Sequence, residues 1–137
     1  MTESQFAHIT DGQDIPARLR GGVVAIGNFD GVHRGHRAVL GRARDMARQR
    51  GVPALAVTFE PHPRSYFRPE QPLFRLTPSQ AKAELIEALG LDAMVEIAFD
   101  AALAAASAED FVDRILVDRL GADAVVVGFD FHFGKGR

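Results

Sequence analysis

The chain has 137 residues, 47% of them hydrophobic and 25% charged, which is typical of about one globular domain. It has no cysteine, which excludes thiol catalysis, cysteine-based zinc sites and a disulfide scaffold. Sixteen basic against eighteen acidic residues give a net charge of −2, so a strongly basic nucleic-acid-binding surface is excluded. The polar, acidic start (residues 1–13) is not typical of a secretory signal, and no apolar run approaches the roughly 20 residues of a membrane helix. We therefore expect a cytoplasmic protein that binds neither nucleic acid nor a membrane.

The first half of the chain predicts a strand, a helix and a second strand. A short β-branched run at 23–26 is followed by a glycine-rich stretch, and apolar residues recur at helical spacing over 38–50. Gly51 is placed to end that helix. Residues 54–59 are almost wholly apolar, which predicts a parallel strand buried on both faces. A proline-rich loop over 60–76 follows, and loops of that length are often functional.

The second half repeats the pattern twice. Thr77 as N-cap and Pro78 in the first turn predict a helix to about residue 89, ended by Gly90. Strands are expected at 93–99 and at 124–127, the latter a core strand. Between them the polar run 107–110 opens a helix that Gly121 ends. The apolar residues that this helix should bury are Phe111, Ile115, Leu116 and Leu120.

Alternating strands and helices imply right-handed crossovers and a parallel sheet. We predict an α/β fold: a doubly wound, mostly parallel, Rossmann-like sheet of four strands flanked by helices, in one domain over 1–137. Ligands should bind in the crevice beyond the carboxyl ends of the strands. Because no further strand or helix follows residues 128–137, we expect the domain to be truncated before its last strand. The alternative is a complete small domain with an aromatic tail.

The turn after the first strand carries the most informative pattern, Gly27-Asn28-Phe29-Asp30-Gly31-Val32-His33-Arg34-Gly35-His36. In an open parallel sheet this turn is where phosphates bind. Glycines let the backbone approach a ligand closely, and amide N–H groups at the helix start point at an anion. His33 and His36 are three residues apart, a spacing that puts both imidazoles beside one phosphate group.

The residues of this turn also allow other interpretations. A pair of histidines three apart is common by chance and is often merely exposed. Zinc is not supported, since neither an HExxH pattern nor a cysteine is present. The glycines lack the Gly-Lys-Ser/Thr of a P-loop and the spacing of a dinucleotide fingerprint. Phosphate binding is favoured by the residues alone, without being the only interpretation.

Three segments together resemble a known family. The turn from Ile26 to His36, the run from Thr58 to Pro63 and the end from Val127 to Arg137 are similar to the HxGH nucleotidyltransferases. More narrowly, they resemble the FMN adenylyltransferase (FAD synthetase) module of the bacterial bifunctional riboflavin kinase/FAD synthetases. The resemblance covers about residues 21–137, and the three segments are much more specific together than singly.

The resemblance implies adenylyl transfer from ATP to FMN, giving FAD and pyrophosphate, with Mg²⁺ held mainly by phosphate oxygens and no metal site of protein ligands alone. It makes His33 and His36 the catalytic residues. The residues it assigns to ATP binding are Gly27, Asn28, Phe29, Asp30, Gly31, His33, Gly35 and His36. The family's Ser-Ser-Thr segment and its riboflavin kinase domain have no counterpart here, so we expect no kinase activity and nucleotide binding that survives better than catalysis.

The resemblance also implies a flavin site built from two segments. Its expected FMN-binding residues are Phe59, Pro61, His62, Pro63, Phe67, Asp130 and Phe133. Prolines stiffen the first segment, and aromatic rings there offer faces for an isoalloxazine ring. The plainer alternatives are that this loop covers a sheet edge and that the phenylalanines of 129–133 alternate because they pack in a strand.

Two rival functions stay open at this point. One is another HxGH transferase, acting on pantetheine phosphate or nicotinamide mononucleotide. The other is a nucleotide- or flavin-binding module without catalysis. The expected partners are the small molecules ATP and FMN, and the sequence leaves the oligomeric state open.

Overall fold

A computed structural model describes residues 6–10, 13–27, 34–60, 79–98, 105 and 107–127. Its centre is one parallel sheet with the strand order β1-β4-β3-β2-β5. The five strands are β1 (Ala7–Ile9), β2 (Val23–Ile26), β3 (Ala54–Glu60), β4 (Ala93–Ala98) and β5 (Ala124–Val127). The parallel α/β sheet expected from the alternation of strands and helices is thereby confirmed.

Helices connect the strands. They are α1 (Arg34–Arg50), α2 (Ser79–Ala88) and α3 (Ala108–Phe111), and α3 continues as a π-helix over Val112–Arg119. A short 3₁₀ helix, Ala17–Leu19, precedes β2. The glycines predicted to end the helices do so in the left-handed conformation, with φ of 70° at Gly51, 96° at Gly90 and 60° at Gly121. None of the helices within these described ranges is long and apolar enough to cross a membrane.

Both faces of the sheet are covered, as the doubly wound prediction requires. On one face α1 and α2 pack Leu40, Ala43 and Ile86 against alanine and valine residues of β2 and β3 and against Met94 of β4. We call this the α1 face. On the other face the helix after β4 packs Phe111, Leu116 and Leu120 against the alternate residues of the same strands. Because successive strand residues point to opposite faces, the near-continuous apolar strands fill two cores at once.

Two strand predictions need correction. Among the described residues the sheet has five strands and not four, because Ala7–Ile9, in a segment interpreted only as polar, pairs with β4. The assignment of β5 to the core is also wrong. β5 lies at the opposite edge, where Val125 is 40% and Val127 48% exposed on the face away from α1. Three residues in a polar context carry no period-two signal, and apolar composition alone does not tell an edge strand from a central one.

The start of α1 also differs from the prediction. The helix begins at Arg34, four residues before the first residue of the predicted helical pattern. Gly35 and His36 therefore lie in the first helical turn, whereas apolar spacing starts only where the helix reaches the core at Val39 and Leu40. The N-cap Thr77 and Pro78 lie outside the described residues, and α2 runs from Ser79.

The start of α3 is held by a side-chain cap. The Ser107 hydroxyl oxygen accepts a hydrogen bond from the backbone N–H of Asp110 at 3.1 Å, as the polar run 107–110 predicts. We expect Ser107→Ala to lower the free energy of unfolding by about 1 kcal/mol, because one orphan amide of the first turn loses its acceptor. Urea denaturation followed by circular dichroism measures this loss. Ser107→Asp keeps an acceptor at the cap and should restore stability, and equal losses in the two variants would contradict a capping role.

Candidate functional site

The order of the strands defines where a ligand can enter the sheet. From β2 the chain passes through α1 to β3 and through α2 to β4, each time moving away from β5. It then returns through α3 and the π-helix to β5, on the other side of β2. The direction of winding therefore reverses between β2 and β5. In open α/β sheets such a switch point leaves a crevice at the carboxyl ends of the strands, where ligands bind.

The three segments of the family resemblance all leave the sheet at this place. They follow or overlap the ends of β2, β3 and β5, which are neighbours in the order β3-β2-β5. Ile26 pairs with Val57 on one side and with Val127 on the other, so β2 and β5 end at the same level. Adjacent strands lie about 4.8 Å apart, which brings the three segments within about 10 Å of one another where they leave that level.

β3 reaches further than β2 and β5, and β4 pairs with it to the end, Glu60 with Ala98. β3 continues for three residues beyond Val57, through Thr58 and Phe59 to Glu60. At about 3.3 Å per residue this extension is about 10 Å long. On the side of β4, the sheet therefore extends about 10 Å beyond the level at which β2 and β5 end, next to the switch point.

The turn after β2 supplies two backbone features to the site. Gly27 is buried, and its N–H donates to the carbonyl oxygen of Val57 at 3.1 Å, so this amide serves the sheet and not a ligand. α1 starts seven residues later, with Gly35 and His36 in its first turn and no acidic residue there. The positive end of the helix dipole is thus not neutralised by a carboxylate of its own first turn, which favours an anion.

Most of the expected side chains lie outside the described residues, so their roles stay predictions. For Gly35 and His36 the structure describes the backbone alone. The expected residues that are not described are Asn28, Phe29, Asp30, Gly31, His33, Pro61, His62, Pro63, Phe67, Asp130 and Phe133. The structure places side by side the ends of β2, β3 and β5, the strands that these residues follow in the sequence.

Phe59 is the one expected flavin residue whose side chain is described. It lies in β3, is 2% exposed and belongs to the core on the face away from α1. Its ring centroid is 5.9 Å from that of Phe111, with the planes tilted by 46°. This is a favourable aromatic pair within a packed core. The ring therefore has a structural role, and contact with a flavin stays a prediction.

The variant Phe59→Leu separates the two roles. We expect the free energy of unfolding to fall by about 1 kcal/mol, because leucine keeps most of the apolar volume but loses the aromatic pair with Phe111. Chemical denaturation measures the fall, and titration with FMN measures any change in affinity. An unchanged dissociation constant for FMN assigns Phe59 to the core alone, whereas unchanged stability would contradict the packing role.

Sequence reasoning missed a group of buried polar residues on the α1 face. Thr58 and Glu96 are neighbours across β3 and β4, 1% and 8% exposed, and Lys82 of α2 is 4% exposed. His8 of the adjacent strand β1 lies opposite Met94, and its Nε2 is 3.3 Å from a carboxylate oxygen of Glu96. Within the described residues the Thr58 hydroxyl has no hydrogen-bond partner. A single charge inside the apolar run 93–98 was the signal that could have revealed this row.

Two open cavities are formed by described residues. One is a groove of about 860 Å³ along α1 that reaches the end of β5, with Arg37, Arg42 and Val127 in its lining. The other, of about 390 Å³, includes Gly90 and Asp92 and lies at the amino edge of the sheet, opposite the switch point. Only the first opens beside the predicted site. No cluster of three or more His, Asp or Glu side chains that could hold a metal ion occurs in the part of the chain that the structure describes.

This fold and the position of its switch point define a class, the doubly wound α/β domains with a parallel sheet. Comparison with known proteins narrows it. The sequence model of one family, FAD synthetase, matches residues 15–137. The chain belongs to the FAD synthetase family.

Several relatives share the matched region. A "bifunctional riboflavin kinase/FMN adenylyltransferase" of Pseudomonas fluorescens is 50% identical over 118 residues, covering 86% of this chain and 38% of that protein. Relatives with the same name are 40% identical in Escherichia coli K12, over 88% of this chain and 39% of the relative, and 37% identical in Bacillus subtilis, over 82% and 36%. The chain thus spans about two fifths of the length of these relatives.

A solved structure shares the fold. It is described as a macrolide-efflux protein from Streptococcus pneumoniae and aligns with a TM-score of 0.77 over 94% of this chain and 42% of its own. The sequence identity is 24%, so the likeness supports the architecture alone. The name of that protein carries no argument about activity here.

Proposed function

We propose that this chain transfers the adenylyl group of ATP to FMN. A phosphate oxygen of FMN attacks the α-phosphorus of ATP, the bond between that phosphorus and the bridging oxygen to the β-phosphate breaks, and FAD and pyrophosphate result. No covalent enzyme intermediate is needed, so catalysis consists of positioning and charge stabilisation.

One observation carries this proposal. The three segments that resemble the adenylyltransferase module follow or overlap the ends of three adjacent parallel strands around the switch point. The relatives named for FMN adenylyltransfer match this same region at 37–50% identity. A single chance motif would not also fit this topology.

The expected residues take distinct roles in the proposed reaction. His33 and His36, at the start of α1, donate N–H hydrogen bonds to the phosphate oxygens on which negative charge builds. Glycines of the same turn leave room for the triphosphate against the helix start. The flavin ring is bound by the segments after β3 and β5. These assignments rest on the family resemblance and on the position of the strand ends.

Mg²⁺ belongs to the proposal as a substrate-borne ion. When bound to ATP it neutralises charge on the phosphates. Mg²⁺ usually keeps several waters and binds through substrate phosphates, so in this proposal it is held mainly by the phosphate oxygens of ATP. We also propose that the protein is located in the cytoplasm.

The kinase activity in the relatives' names is not assigned to this chain, which spans only about two fifths of their length.

The decisive experiment incubates the chain with FMN, ATP and Mg²⁺ and separates the flavins by chromatography. FAD and pyrophosphate formed in equal amounts support the proposal. Reactions with nicotinamide mononucleotide or pantetheine phosphate in place of FMN test the other HxGH activities, and faster turnover of either would replace FMN as the substrate. Bound nucleotide without pyrophosphate release would indicate a binding module without catalysis.

A further inference from the structure

Helix α1 concentrates positive charge in an otherwise slightly acidic chain. Its 17 residues include six arginines and one acidic residue, Asp45, whereas the whole chain has a net charge of −2. The same helix begins at the switch point, where the proposed substrates bring their phosphates. Both ATP and FMN are anions, so the placement of this charge affects how they reach the site.

Not all of these arginines are free to act on a substrate. Arg44 is paired with Asp45 through Nε at 3.0 Å, and Arg50 is paired with Asp123 at 2.6 Å. The side chains of Arg37, Arg42 and Arg48 are exposed, and among the described residues none of these three forms an ion pair. Among the arginine side chains of α1 that the structure describes, the uncompensated charge therefore lies at these three positions.

These three positions differ in their distance from the site. At 1.5 Å per residue, Arg37 is about 5 Å along the axis from the first residue of α1, Arg42 about 12 Å and Arg48 about 21 Å. At 0.15 M ionic strength the interaction between exposed charges decays over about 8 Å. Of these three arginines, only Arg37 is within that length of the helix start, while Arg48 is far beyond it.

Arg37 and Arg42 also line the open groove that reaches Val127 at the end of β5. The groove has a volume of about 860 Å³ and opens beside the switch point. The groove therefore places both guanidinium groups on an open surface along α1 that extends to the end of β5.

We propose that Arg37 is a steering residue, which speeds the association of the anionic nucleotide with the site through its charge and does not contact the bound nucleotide. The proposal rests on the proposed function, since it takes the start of α1 as the place where phosphates bind. It gives a role to a residue outside the glycine-rich turn. It also predicts that the effect of substituting an arginine of α1 on the association rate decreases with distance from the site.

The test measures association of a fluorescent ATP, the N-methylanthraniloyl derivative with Mg²⁺, by stopped flow at 0.15 M and 1 M ionic strength. At 0.15 M we expect the association rate constant to fall about threefold in Arg37→Gln, less than about twofold in Arg42→Gln and not measurably in Arg48→Gln. At 1 M the decay length is about 3 Å and the differences should vanish. Arg37→Lys keeps the charge and should keep the rate.

Each outcome decides the matter. Unequal rates at 0.15 M that become equal at 1 M, with unchanged dissociation rates, support steering. A faster dissociation rate in Arg37→Gln, or a loss that Arg37→Lys does not restore, would show direct contact and overturn it. Equal losses in Arg37→Gln and Arg48→Gln would overturn the gradient. Absence of nucleotide binding by the unsubstituted chain would contradict the proposed function itself, and the steering role with it.

Discussion

Replacing His36 with alanine is expected to lower the rate of FAD formation by at least about 100-fold. The residue lies in the first turn of α1, at the carboxyl edge of the sheet beside the switch point. A donor aimed at developing negative charge is worth about 10²–10³ in turnover, because it acts most strongly in the transition state. The rate of FAD formation at saturating ATP and FMN measures the effect.

A second histidine provides the control. His8 is an exposed residue of β1, three strands from β2 and therefore about 14 Å across the sheet. His8→Ala should leave turnover within about twofold of the unsubstituted chain, since surface changes away from the site have small effects. Calorimetric titration with ATP shows whether His36→Ala also weakens binding. Near-normal turnover in His36→Ala would remove this imidazole from the mechanism.

Replacing Gly22 with alanine is expected to lower the free energy of unfolding by about 3 kcal/mol. A Cβ at this position would lie 2.2 Å from the backbone oxygen of Pro53, far closer than atoms can approach. Hydrogen bonds from two other segments fix the backbone around this contact. Val23 donates its N–H to Pro53 at 2.9 Å, and the Gly22 carbonyl accepts from Asp123 at 2.8 Å. Relief of the clash must therefore disturb the start of the pairings that β2 makes with β3 and β5.

The neighbouring glycine is the matched control for this substitution. Gly21 has φ of +80°, and a Cβ there would meet nothing within 4 Å. Gly21→Ala should cost about 1 kcal/mol, which is the cost of a left-handed alanine alone. Midpoints and slopes of urea denaturation compare the two variants. If Gly22→Ala is no more destabilising than Gly21→Ala, the backbone at Pro53 can move at little cost, and the close approach does not limit stability.

Local patterns predicted most elements of this fold. Mostly apolar strands of four to seven residues, separated by helices that end at Gly51, Gly90 and Gly121, are marked by composition and spacing within each segment. The cap at Ser107 is likewise a matter of four consecutive residues. The predictions failed where an element depends on a distant partner. β1 is a strand because β4 lies beside it, and three residues cannot show that on their own.

The candidate site likewise has a part that local sequence predicts and a part that depends on tertiary packing. Glycines and paired histidines before a helix indicate a phosphate site from the sequence, because turn chemistry and helix termini are local properties. The buried row of Thr58, Glu96 and Lys82 was not predicted, since burial of a polar group depends on which elements pack above it. Phe59 shows the converse. Its place before the proline-rich loop indicates flavin contact, while packing against Phe111 puts its ring in the core.

The sequence by itself determined the class of fold and the family resemblance, and it predicts phosphate binding at the turn after β2. Each of these rests on short segments, and within each segment the informative residues are close together along the chain. Only the tertiary structure decided that β2 lies between β3 and β5, so that three distant segments leave the sheet side by side. Strand order results from the packing of whole helices over the sheet, and no short stretch of sequence contains that information.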